Sequence, residues 1–412
     1  MEKKYIDELD KGYTPLLVMK EASRCLLCHD APCSKSCPAG TNPAKFIRSV
    51  RFRNFKGAAE TIRENNALGS ICARVCPTEK LCQKGCSRSG IDKPIEIGRI
   101  QRFVTDFEAA CNMKILKKGQ KDKGKVAVVG SGPAGLQAAT TLTALGYDVT
   151  IFEKSDKAGG WLRHGIPEYR LPSDVLDLEI QRIIETGITI KYNQEVGKDV
   201  SLDELKKEYQ AVLLAVGASY GRMLPLFDNN PHVEVAVEFL DRVRQNGGKV
   251  EVPSSVLVVG GGDVAMDAAT TLKKLGCESV VCVAREEMYE FPASKKEFSD
   301  AHEENVSIID GFTPVGCVDN VVEFEHVRLH SHLTMKVDKI ILAVGQVSKL
   351  ESFDTITHER GIVDTKNYQT SDEKVFAAGD IVKGEKSVVY AVKLGKEAAH
   401  AIDAYLGGKK NA

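Results

Sequence analysis

Eight cysteines lie in two short runs near the start of the chain. The first run, Cys25–Cys37, has the spacing C-x2-C-x4-C-x3-C-P, and the second, Cys72–Cys86, has C-x3-C-P-x4-C-x3-C. Cysteine thiolates in such runs hold iron–sulfur clusters, although four-cysteine zinc sites also use C-x2-C pairs. The Cys-Pro step in each run is typical of two-cluster ferredoxins and favours iron. We therefore expect two [4Fe–4S] clusters in this part of the chain.

The order of the cysteines also predicts how the two runs combine. In two-cluster ferredoxins, the cysteine before the proline is a ligand of the other cluster. Applied to this chain, Cys25, Cys28 and Cys33 take a fourth ligand from the second run. Cys37, which precedes the proline, joins the ligand set of the second run. Each run then needs the other, so the clusters should also hold this part of the chain together.

A glycine-rich motif farther along predicts a dinucleotide site. Gly130, Gly132 and Gly135 follow an apolar strand and open a helix. The first glycine permits a tight turn, the second lets the backbone approach a pyrophosphate, and the third lets helix and strand pack closely. The start of the helix offers unpaired N–H groups to the phosphates. Glu153 ends the next strand, 18 residues past Gly135, where a carboxylate can bind a ribose hydroxyl.

The motif recurs 130 residues later, which indicates a second nucleotide-binding unit. It begins with Gly260 and Gly262, and Ala265 replaces the third glycine, as the fingerprint allows. Two apolar segments that end at Gly217 and Gly345 repeat at nearly the same offset. We expect both glycines where buried strands leave their sheets, with the second unit inserted into the first.

The residues after the second motif bear on the choice of coenzyme. The strand that follows the motif leads into Arg285, Glu286 and Glu287. A 2′-phosphate favours clustered arginines at this place, because their planar guanidinium groups bind phosphate with two hydrogen bonds. A single arginine beside two carboxylates therefore favours NADH over NADPH.

A third segment, near the end of the chain, extends the pattern. Gly379 and Asp380 follow a short apolar strand, and a predicted helix that contains Val389 comes after them. An aspartate at this place can bind a ribityl hydroxyl, and the start of the helix can direct its dipole toward a reduced flavin ring.

Length and composition limit the classes of protein to which the chain can belong. The chain has 412 residues, a net charge of −1 and 43% hydrophobic residues, so its electrostatics indicate neither a nucleic-acid nor a membrane surface. It has no apolar leader and no membrane-length apolar stretch, and we expect a cytoplasmic protein. Cytosolic thiols stay reduced, which disfavours disulfides. The four remaining cysteines are expected to be small buried residues; they are Cys111, Cys277, Cys282 and Cys317.

The elements that must position these residues divide the chain into domains. Residues 1–113 should form a helical domain with two [4Fe–4S] clusters, and the lysine-rich residues 114–125 a linker. Alternating short strands and helices then predict α/β structure. We expect one domain from residues 125–220 plus 347–412, and a second domain, residues 225–345, inserted into it.

Taken together, the motifs carry a resemblance to a known family. The first glycine motif, Glu153, the segment "GGWLRHGIP" (159–167), the inserted second motif and "AAGDIV" resemble two-domain FAD/NAD(P) flavoprotein reductases. The chain is similar to the β subunit of glutamate synthase and to the N-terminal half of dihydropyrimidine dehydrogenase. The resemblance implies two Rossmann-like units, one inserted in the other, preceded by an α-helical iron–sulfur domain. No catalytic side chain is implied beyond the cofactors.

The same resemblance implies which residues hold FAD and which hold NAD(H). The residues implied for FAD are Gly130, Gly132, Pro133, Ala134, Gly135, Glu153, Gly160, Trp161, Leu162, Gly217, Gly379, Asp380 and Val389. Those implied for NAD(H) are Gly260, Gly262, Asp263, Val264, Ala265, Arg285, Glu286 and Gly345.

For the clusters, the resemblance implies two specific ligand sets. One cluster takes Cys25, Cys28, Cys33 and Cys86, and the other takes Cys37, Cys76, Cys82 and Gln101. The glutamine stands in an "IGRIQ" segment, which matches a dihydropyrimidine dehydrogenase pattern, "IGxxQ", in which glutamine is a ligand. The alternative is that Cys72 is the eighth ligand and that Gln101 only packs.

Over nearly its whole length, the chain most closely resembles the electron-input subunit of NAD-dependent dihydropyrimidine dehydrogenases. This implies a heterotetramer with a PreA-like catalytic subunit, which carries FMN and its own clusters and reduces uracil or thymine to the 5,6-dihydro product. Two alternatives remain open. One is the small subunit of glutamate synthase or a general NAD(P)H:acceptor oxidoreductase, and the other is a zinc-stabilised, non-catalytic nucleotide-binding regulator.

Overall fold

The structure, a computed structural model, describes residues 5–410, without the side chains of residues 408–410. It divides into two compact units. The smaller unit holds residues 5–9, 163–172 and 219–347, and the larger unit holds residues 10–162, 173–218 and 348–410. Residues 1–4 of the expected cluster domain and residues 411–412 of the expected FAD domain lie outside the described residues.

The cysteine-rich part of the larger unit is helical, as the sequence predicts. Side chains of Thr14, Asn42 and Asn54 cap the starts of three of its helices, and prolines open the first three. Buried Phe46, Ile62 and residues around them form its core. The helices are α1 (Pro15–Ser23), α2 (Pro32–Lys35), α3 (Pro43–Arg51), α4 (Phe55–Arg63), α5 (Gly69–Val75) and α6 (Ile97–Ala110).

The first glycine motif opens an α/β region in the same unit. The last four residues of strand β1, Val126–Val129, are apolar and buried, as expected for the central strand of a parallel sheet. Its elements are β1 (Gly124–Val129), α7 (Pro133–Ala144), β2 (Tyr147–Phe152), α8 (Trp161–His164), α9 (Ser173–Ile184), β3 (Thr189–Lys191), α10 (Leu202–Glu208) and β4 (Ala211–Leu214).

The smaller unit repeats this plan around the second motif. Its elements are β5 (Tyr220–Gly221), β6 (Val233–Val235), α11 (Ala236–Gln245), β7 (Ser255–Val259), α12 (Asp263–Lys274), β8 (Ser279–Val283), α13 (Lys295–Glu303), β9 (Ser307–Ile309), β10 (Phe312–Val318), β11 (Val321–His326), β12 (His332–Lys336), β13 (Lys339–Leu342) and β14 (Gln346–Val347). The last elements of the chain return to the larger unit: β15 (His358–Glu359), β16 (Ile362–Val363), β17 (Val375–Ala377) and α14 (Val388–Lys410).

The two main sheets have the same construction. The larger unit contains a parallel sheet in the order β17-β4-β1-β2-β3, and the smaller unit one in the order β6-β13-β7-β8-β9. In each, the strand before the glycine motif is central. The predicted α/β fold, with two Rossmann-like units and one inserted in the other, is confirmed. Residues 163–172, which the sequence assigns to the FAD domain, group with the smaller unit.

Candidate cofactor sites

Group 1 of the cysteines consists of Cys25, Cys28, Cys33 and Cys86. The pKa of the Cys33 thiol is raised to about 11, mainly by burial and to a smaller extent by the nearby sulfurs of Cys86 and Cys25. Burial also raises the pKa of Cys25, whose sulfur interacts with those of Cys86 and Cys28. Three cysteines of the first run therefore stand beside one cysteine of the second, which supports the predicted ligand set.

Group 2 consists of Cys37, Cys72, Cys76 and Cys82. Burial raises the pKa of Cys76 well above its ordinary value, and the sulfurs of the other three members add to this effect. Burial is also the main cause of the raised pKa of Cys82, whose sulfur interacts with Cys37 and with Cys33 of group 1. The two groups therefore adjoin, and each draws on both runs.

Backbone and hydroxyl groups donate hydrogen bonds to the sulfurs of group 1. Leu27 adopts φ of 54°, an unusual value for leucine, and its backbone bonds to the Cys25 sulfur. Ser34 bonds to the sulfur of Cys33 with both its backbone and its side chain. The N–H of Ile95 lies 3.5 Å from the Cys86 sulfur. Such donors stabilise thiolates and tune the potential of a cluster, so the residues fit the expected [4Fe–4S] group.

The choice of the eighth ligand depends on Gln101 and Cys72. The amide nitrogen of Gln101 donates a hydrogen bond of 2.8 Å to the carbonyl of Gly69, at the start of α5, which leaves its oxygen as the possible ligand atom. Cys72 is buried within group 2, where burial raises its pKa to about 12 and Asn66 bonds to its sulfur. Both side chains are in this neighbourhood, and Gln101 stays the predicted ligand.

Within residues 5–410, no three His, Cys, Asp or Glu side chains converge closely enough to hold a single metal ion.

Helix α14 lies against group 2. Burial lowers the pKa of Lys396 on this helix, and the Cys37 sulfur acts against that shift. The Lys396 ammonium donates to the carbonyl of Ala39 and, at 3.1 Å, to the side-chain oxygen of Asn65. The sulfur of Cys76 contributes, after burial and Glu385, to the raised pKa of Tyr390. Neither Tyr390 nor Lys396 was identified from the sequence, because no cysteine motif points to a helix some 300 residues away.

The first glycine motif leaves open space where a pyrophosphate is expected. A β-carbon added at Gly130 would lie 2.5 Å from the Ala215 carbonyl oxygen, and one at Gly135 would lie 2.0 Å from the Gly130 oxygen. A β-carbon at Gly132 would meet no atom within 4 Å. The backbone therefore requires glycine at the turn and the packing position, while the middle glycine faces unfilled space, as the predicted role requires.

The other residues implied for FAD surround this motif. Pro133 and Ala134 begin α7, and a β-carbon at Gly160 would lie 2.9 Å from the Cα of Gly132. Trp161 is half-buried and Leu162 is fully buried at the start of α8. At Gly217, an added β-carbon would again meet open space.

Glu153 is oriented by three donors. Its carboxylate accepts hydrogen bonds from the N–H and hydroxyl of Ser131, at 3.0 and 2.5 Å, and from the N–H of Ser155 at 2.9 Å. Only 5% of Glu153 is exposed. Ser131 stands between the first two glycines, so the carboxylate is fixed beside the motif and keeps acceptor capacity for a ribose hydroxyl. The sequence suggested the role of Glu153 but not its anchoring by Ser131.

The C-terminal residues predicted for the FAD site adjoin the same motif. A β-carbon at Gly379 would lie 3.0 Å from the β-carbon of Ala134. Burial raises the pKa of Asp380, and the nearby Lys386 ammonium acts against this shift. The hydroxyl of Ser387 is buried and has no hydrogen-bond partner among the described residues, and Val389, in the first turn of α14, is 2% exposed. An unpaired buried hydroxyl costs free energy unless a bound group completes it, so these residues fit a flavin.

The second motif has the same geometry in the smaller unit. A β-carbon at Gly260 would lie 2.4 Å from the Ala343 carbonyl oxygen, whereas Gly262 and Gly345 face open space. Ala265 is fully buried, which explains why a small side chain is required there. Two further predicted residues open α12: the Asp263 carboxylate accepts a 2.6 Å hydrogen bond from the N–H of Ser294, and Val264 packs against the core.

The residues that bear on the coenzyme lie at the end of β8. Arg285 is exposed and lines a cavity of about 420 Å³, and Glu286 is half-buried. Arg328, in the turn after β11, forms an ion pair of 2.8 Å with Glu287 and donates a hydrogen bond to the hydroxyl of Tyr289. Sequence reasoning missed Arg328, because the hairpin turn brings it from 41 residues away.

The four scattered cysteines agree only in part with the expectation of burial. Cys277 and Cys282 are buried, Cys317 is half-buried, and Cys111 is exposed. The prediction was wrong for Cys111, which follows the last residue of α6 and lies in an exposed turn. A search of the helices in residues 5–410 finds none with the length and apolar character that a membrane span needs.

Two protein families match the chain. Residues 2–113 match "Dihydropyrimidine dehydrogenase domain II, 4Fe-4S cluster", and residues 124–395 match "Pyridine nucleotide-disulphide oxidoreductase". The chain is therefore an oxidoreductase of this second family with an iron–sulfur domain before it. The number of clusters and the individual ligands remain predictions.

Comparison with individual proteins agrees with these families. The chain is 65% identical to "NAD-dependent dihydropyrimidine dehydrogenase subunit PreT" of Salmonella typhimurium over 405 residues, 98% of each chain. It is 30% identical to "Glutamate synthase [NADPH] small chain" of Azospirillum brasilense, over 95% of this chain and 90% of that one. Among solved structures, FprA of Mycobacterium tuberculosis in complex with NADPH superposes with a TM-score of 0.62 at 15% identity, over 70% of this chain and 86% of FprA. This last similarity shows the fold alone.

Proposed function

Because the chain belongs to the PreT family of NAD-dependent dihydropyrimidine dehydrogenase subunits, we propose that it oxidises NADH with FAD and passes the electrons through two [4Fe–4S] clusters to a partner subunit. The observation that carries the proposal is the contact of group 2 with α14, the helix whose first turn holds Val389 of the FAD site. This contact supports a short route from the flavin to the cysteines.

The residues of the FAD site bind and orient the cofactor. Gly132 lets the backbone reach the pyrophosphate, and Glu153, held by Ser131, receives a ribose hydroxyl. The half-buried carboxylate of Asp380 and the buried hydroxyl of Ser387 provide polar groups for the ribityl chain and the ring. When bound, FAD accepts two electrons and releases them singly. The residues around it fix its position and its electrostatic surroundings.

The cysteine groups define the order of electron flow. Group 2 adjoins α14, and its Cys72 and Cys82 are buried, whereas all four cysteines of group 1 are half-buried. Cys82 interacts with Cys33, which links the two groups. Group 2 would therefore hold the cluster that receives electrons from the flavin, and group 1 would hold the cluster that passes them to the partner.

The proposal also specifies NADH as the coenzyme and an iron–sulfur subunit as the partner. The carboxylates of Glu286 and Glu287 would repel a 2′-phosphate, and Arg328 already forms an ion pair with Glu287. Both features favour NADH over NADPH. The partner is a PreA-like subunit with FMN and iron–sulfur clusters, in a cytoplasmic heterotetramer, and it reduces uracil or thymine to 5,6-dihydropyrimidines. The 65% identity to a PreT subunit over almost the whole chain supports this assignment.

The second candidate is a glutamate synthase small subunit or a general NAD(P)H:acceptor oxidoreductase. It is favoured by the 30% identity to a glutamate synthase small chain over 95% of this chain. That relative is named for NADPH. A marked preference for NADPH over NADH in rates of flavin reduction would favour this candidate.

An anaerobic titration of the purified chain with NADH tests the proposed function. The visible spectrum should show flavin bands and a broad cluster shoulder, and NADH should bleach both. Adding the purified PreA-like subunit and uracil should then reoxidise the chain, with dihydrouracil as the product. A colourless protein, or flavin bands that NADH leaves unchanged, would contradict the role of this chain. Bleaching without transfer to the PreA-like subunit would contradict only the partner.

A further inference from the structure

Three large apolar side chains near group 1 are exposed to solvent. They are Leu26 at 44%, Phe52 at 76% and Ile91 at 65% of full exposure, and together they define what we call the exit face. Leu26 stands between Cys25 and Cys28 in the chain. Exposed apolar side chains that cluster and have a polar rim mark protein-binding surfaces, whereas single ones need no explanation. The question is therefore whether these three share one surface.

Hydrogen bonds bring the three segments of the exit face together. The guanidinium of Arg51 donates to the Cys25 carbonyl at 3.2 Å, and that of Arg88 donates to the Arg24 carbonyl at 3.0 Å. The N–H of Ile91 donates to the Arg88 carbonyl at 2.9 Å. The chain before Phe52 and the turn that carries Ile91 are thus both fixed to the peptide that precedes Leu26. The three segments that carry these exposed apolar side chains therefore adjoin one another.

On the side of Phe52, the rim of this surface carries positive charge, whereas beside Ile91 the carboxylate of Asp92 pairs with Arg24 and Arg88. Arg48, on the last turn of α3, and Arg53 flank Phe52, and both are exposed. Neither forms an ion pair with any residue that the structure describes. Complementary charge guides two proteins into register and speeds their encounter. A partner with acidic side chains around an apolar centre would match this surface.

The exit face also lies where electrons should leave. It includes the segment between two cysteines of group 1, the more exposed of the two groups. Group 2, in contrast, adjoins α14 on the side of the flavin. Since electron transfer slows steeply with distance, a partner must dock beside group 1 to receive electrons efficiently.

We propose that the exit face is the docking surface for the electron-accepting iron–sulfur subunit, which covers Leu26, Phe52 and Ile91 with an apolar patch and pairs acidic side chains with Arg48 and Arg53. The inference rests on the proposed function. Each transfer oxidises the group 1 cluster by one electron and reduces a centre of the partner by one electron, with no proton moved.

The test uses the intact chain with its cofactors and the separately purified PreA-like subunit. Phe52→Asp should weaken binding at least about tenfold, as is typical of a central apolar contact, and slow NADH-dependent uracil reduction accordingly. The double variant Arg48→Ala, Arg53→Ala should slow association and flatten its dependence on salt. The control is Val318→Asp, at a side chain of the smaller unit that is 74% exposed. This substitution should change neither the binding of the PreA-like subunit nor the rate of uracil reduction.

Measurements on the chain alone separate the two proposals. NADH-dependent ferricyanide reduction and the paramagnetic resonance signals of the reduced clusters should be the same in Phe52→Asp as in the unaltered chain. If the unaltered chain transfers electrons to the PreA-like subunit and Phe52→Asp does so equally well, the exit face is not the docking surface. No transfer by the unaltered chain would overturn the proposed partner and this inference together. If Phe52→Asp instead breaks up a self-associated form in sedimentation without the partner, the occupant is a second copy of this chain and the inference is wrong.

Discussion

The guanidinium of Arg63 donates hydrogen bonds of 2.9 and 2.8 Å to the two carboxylate oxygens of Glu179. Arg63 ends α4, beside the cysteines, and Glu179 lies on α9 of the α/β region, 116 residues later. Glu179 also accepts a 2.9 Å hydrogen bond from the N–H of Ser70, in the first turn of the helix that carries Cys72. This pair therefore fixes the cluster-bearing helix to the α/β region.

Arg63→Met should destabilise the larger unit by about 3–5 kcal/mol, because it leaves Glu179 as a buried charge without its cation and removes one of the two arginines that pair with Glu108. The shift in the urea midpoint of flavin release measures this effect. The matched control is Lys45→Met, which removes the exposed 3.2 Å pair with Glu64 and should cost less than about 1 kcal/mol. Equal effects of the two substitutions would show that the buried ion pair contributes no more to the free energy of unfolding than the exposed pair does.

Cys72→Ser should leave both clusters intact, whereas Cys82→Ser should remove one. The reason is that Gln101, not Cys72, is the predicted fourth ligand of the group 2 cluster. Iron and acid-labile sulfide should remain at eight per chain in Cys72→Ser and fall to about four in Cys82→Ser, on the basis of two [4Fe–4S] clusters. Loss of four irons in Cys72→Ser would reverse the assignment of Gln101.

Gly132→Ala should abolish FAD binding without unfolding the chain. Its new methyl group meets no protein atom within 4 Å but projects into the space expected for the pyrophosphate. The cluster absorbance should remain while the flavin absorbance is lost. Gly262→Ala is the paired variant: it should keep FAD and raise the KM for NADH. If Gly132→Ala retains FAD with unchanged affinity, the first motif is not the FAD site.

Glu287→Gln should raise kcat/KM for NADPH by roughly tenfold or more and change that for NADH little. The substitution removes a negative charge and releases Arg328 to bind a 2′-phosphate, and a charged hydrogen bond of this kind contributes about 1.5–3 kcal/mol. Rates of flavin reduction with the two coenzymes measure the change. Glu251→Gln, an exposed glutamate of the smaller unit away from Arg328, is the control. An unchanged NADPH rate in Glu287→Gln would exclude Glu287 as a determinant of coenzyme choice.

The buried Asp267 should make the stability of the smaller unit depend on pH. Burial raises its pKa to about 7, against the effect of Arg170, whose guanidinium binds both carboxylate oxygens at 2.7 and 2.6 Å. Because the folded pKa is higher than that of the unfolded chain, the contribution to stability is complete at low pH and is lost as the pH rises through about 7. The thermal midpoint should therefore fall between pH 5 and pH 8, and fall less in Asp267→Asn. Equal falls in the two proteins would contradict this pKa.

The sequence predicted what depends on short-range patterns and missed what depends on packing. Two glycine motifs 130 residues apart were enough to predict two sheets with one construction, because strand, turn and helix follow locally from apolar periodicity and glycine. The contact of Arg328 with Glu287 could not be predicted in this way, since a hairpin turn sets it. The same holds for Lys396 beside Cys37 and for the grouping of residues 163–172 with the smaller unit.

Strands β5 and β14 pair antiparallel, with Tyr220 opposite Val347 and Gly221 opposite Gln346. The chain therefore enters and leaves the inserted segment, residues 219–347, at neighbouring points. An insertion with adjacent ends adds little strain to its host, whatever its length. A homologous segment with a different coenzyme preference could therefore replace residues 219–347 at these two junctions, provided that it keeps Asp267 and Glu297, which bind Arg170 of the host segment 163–172.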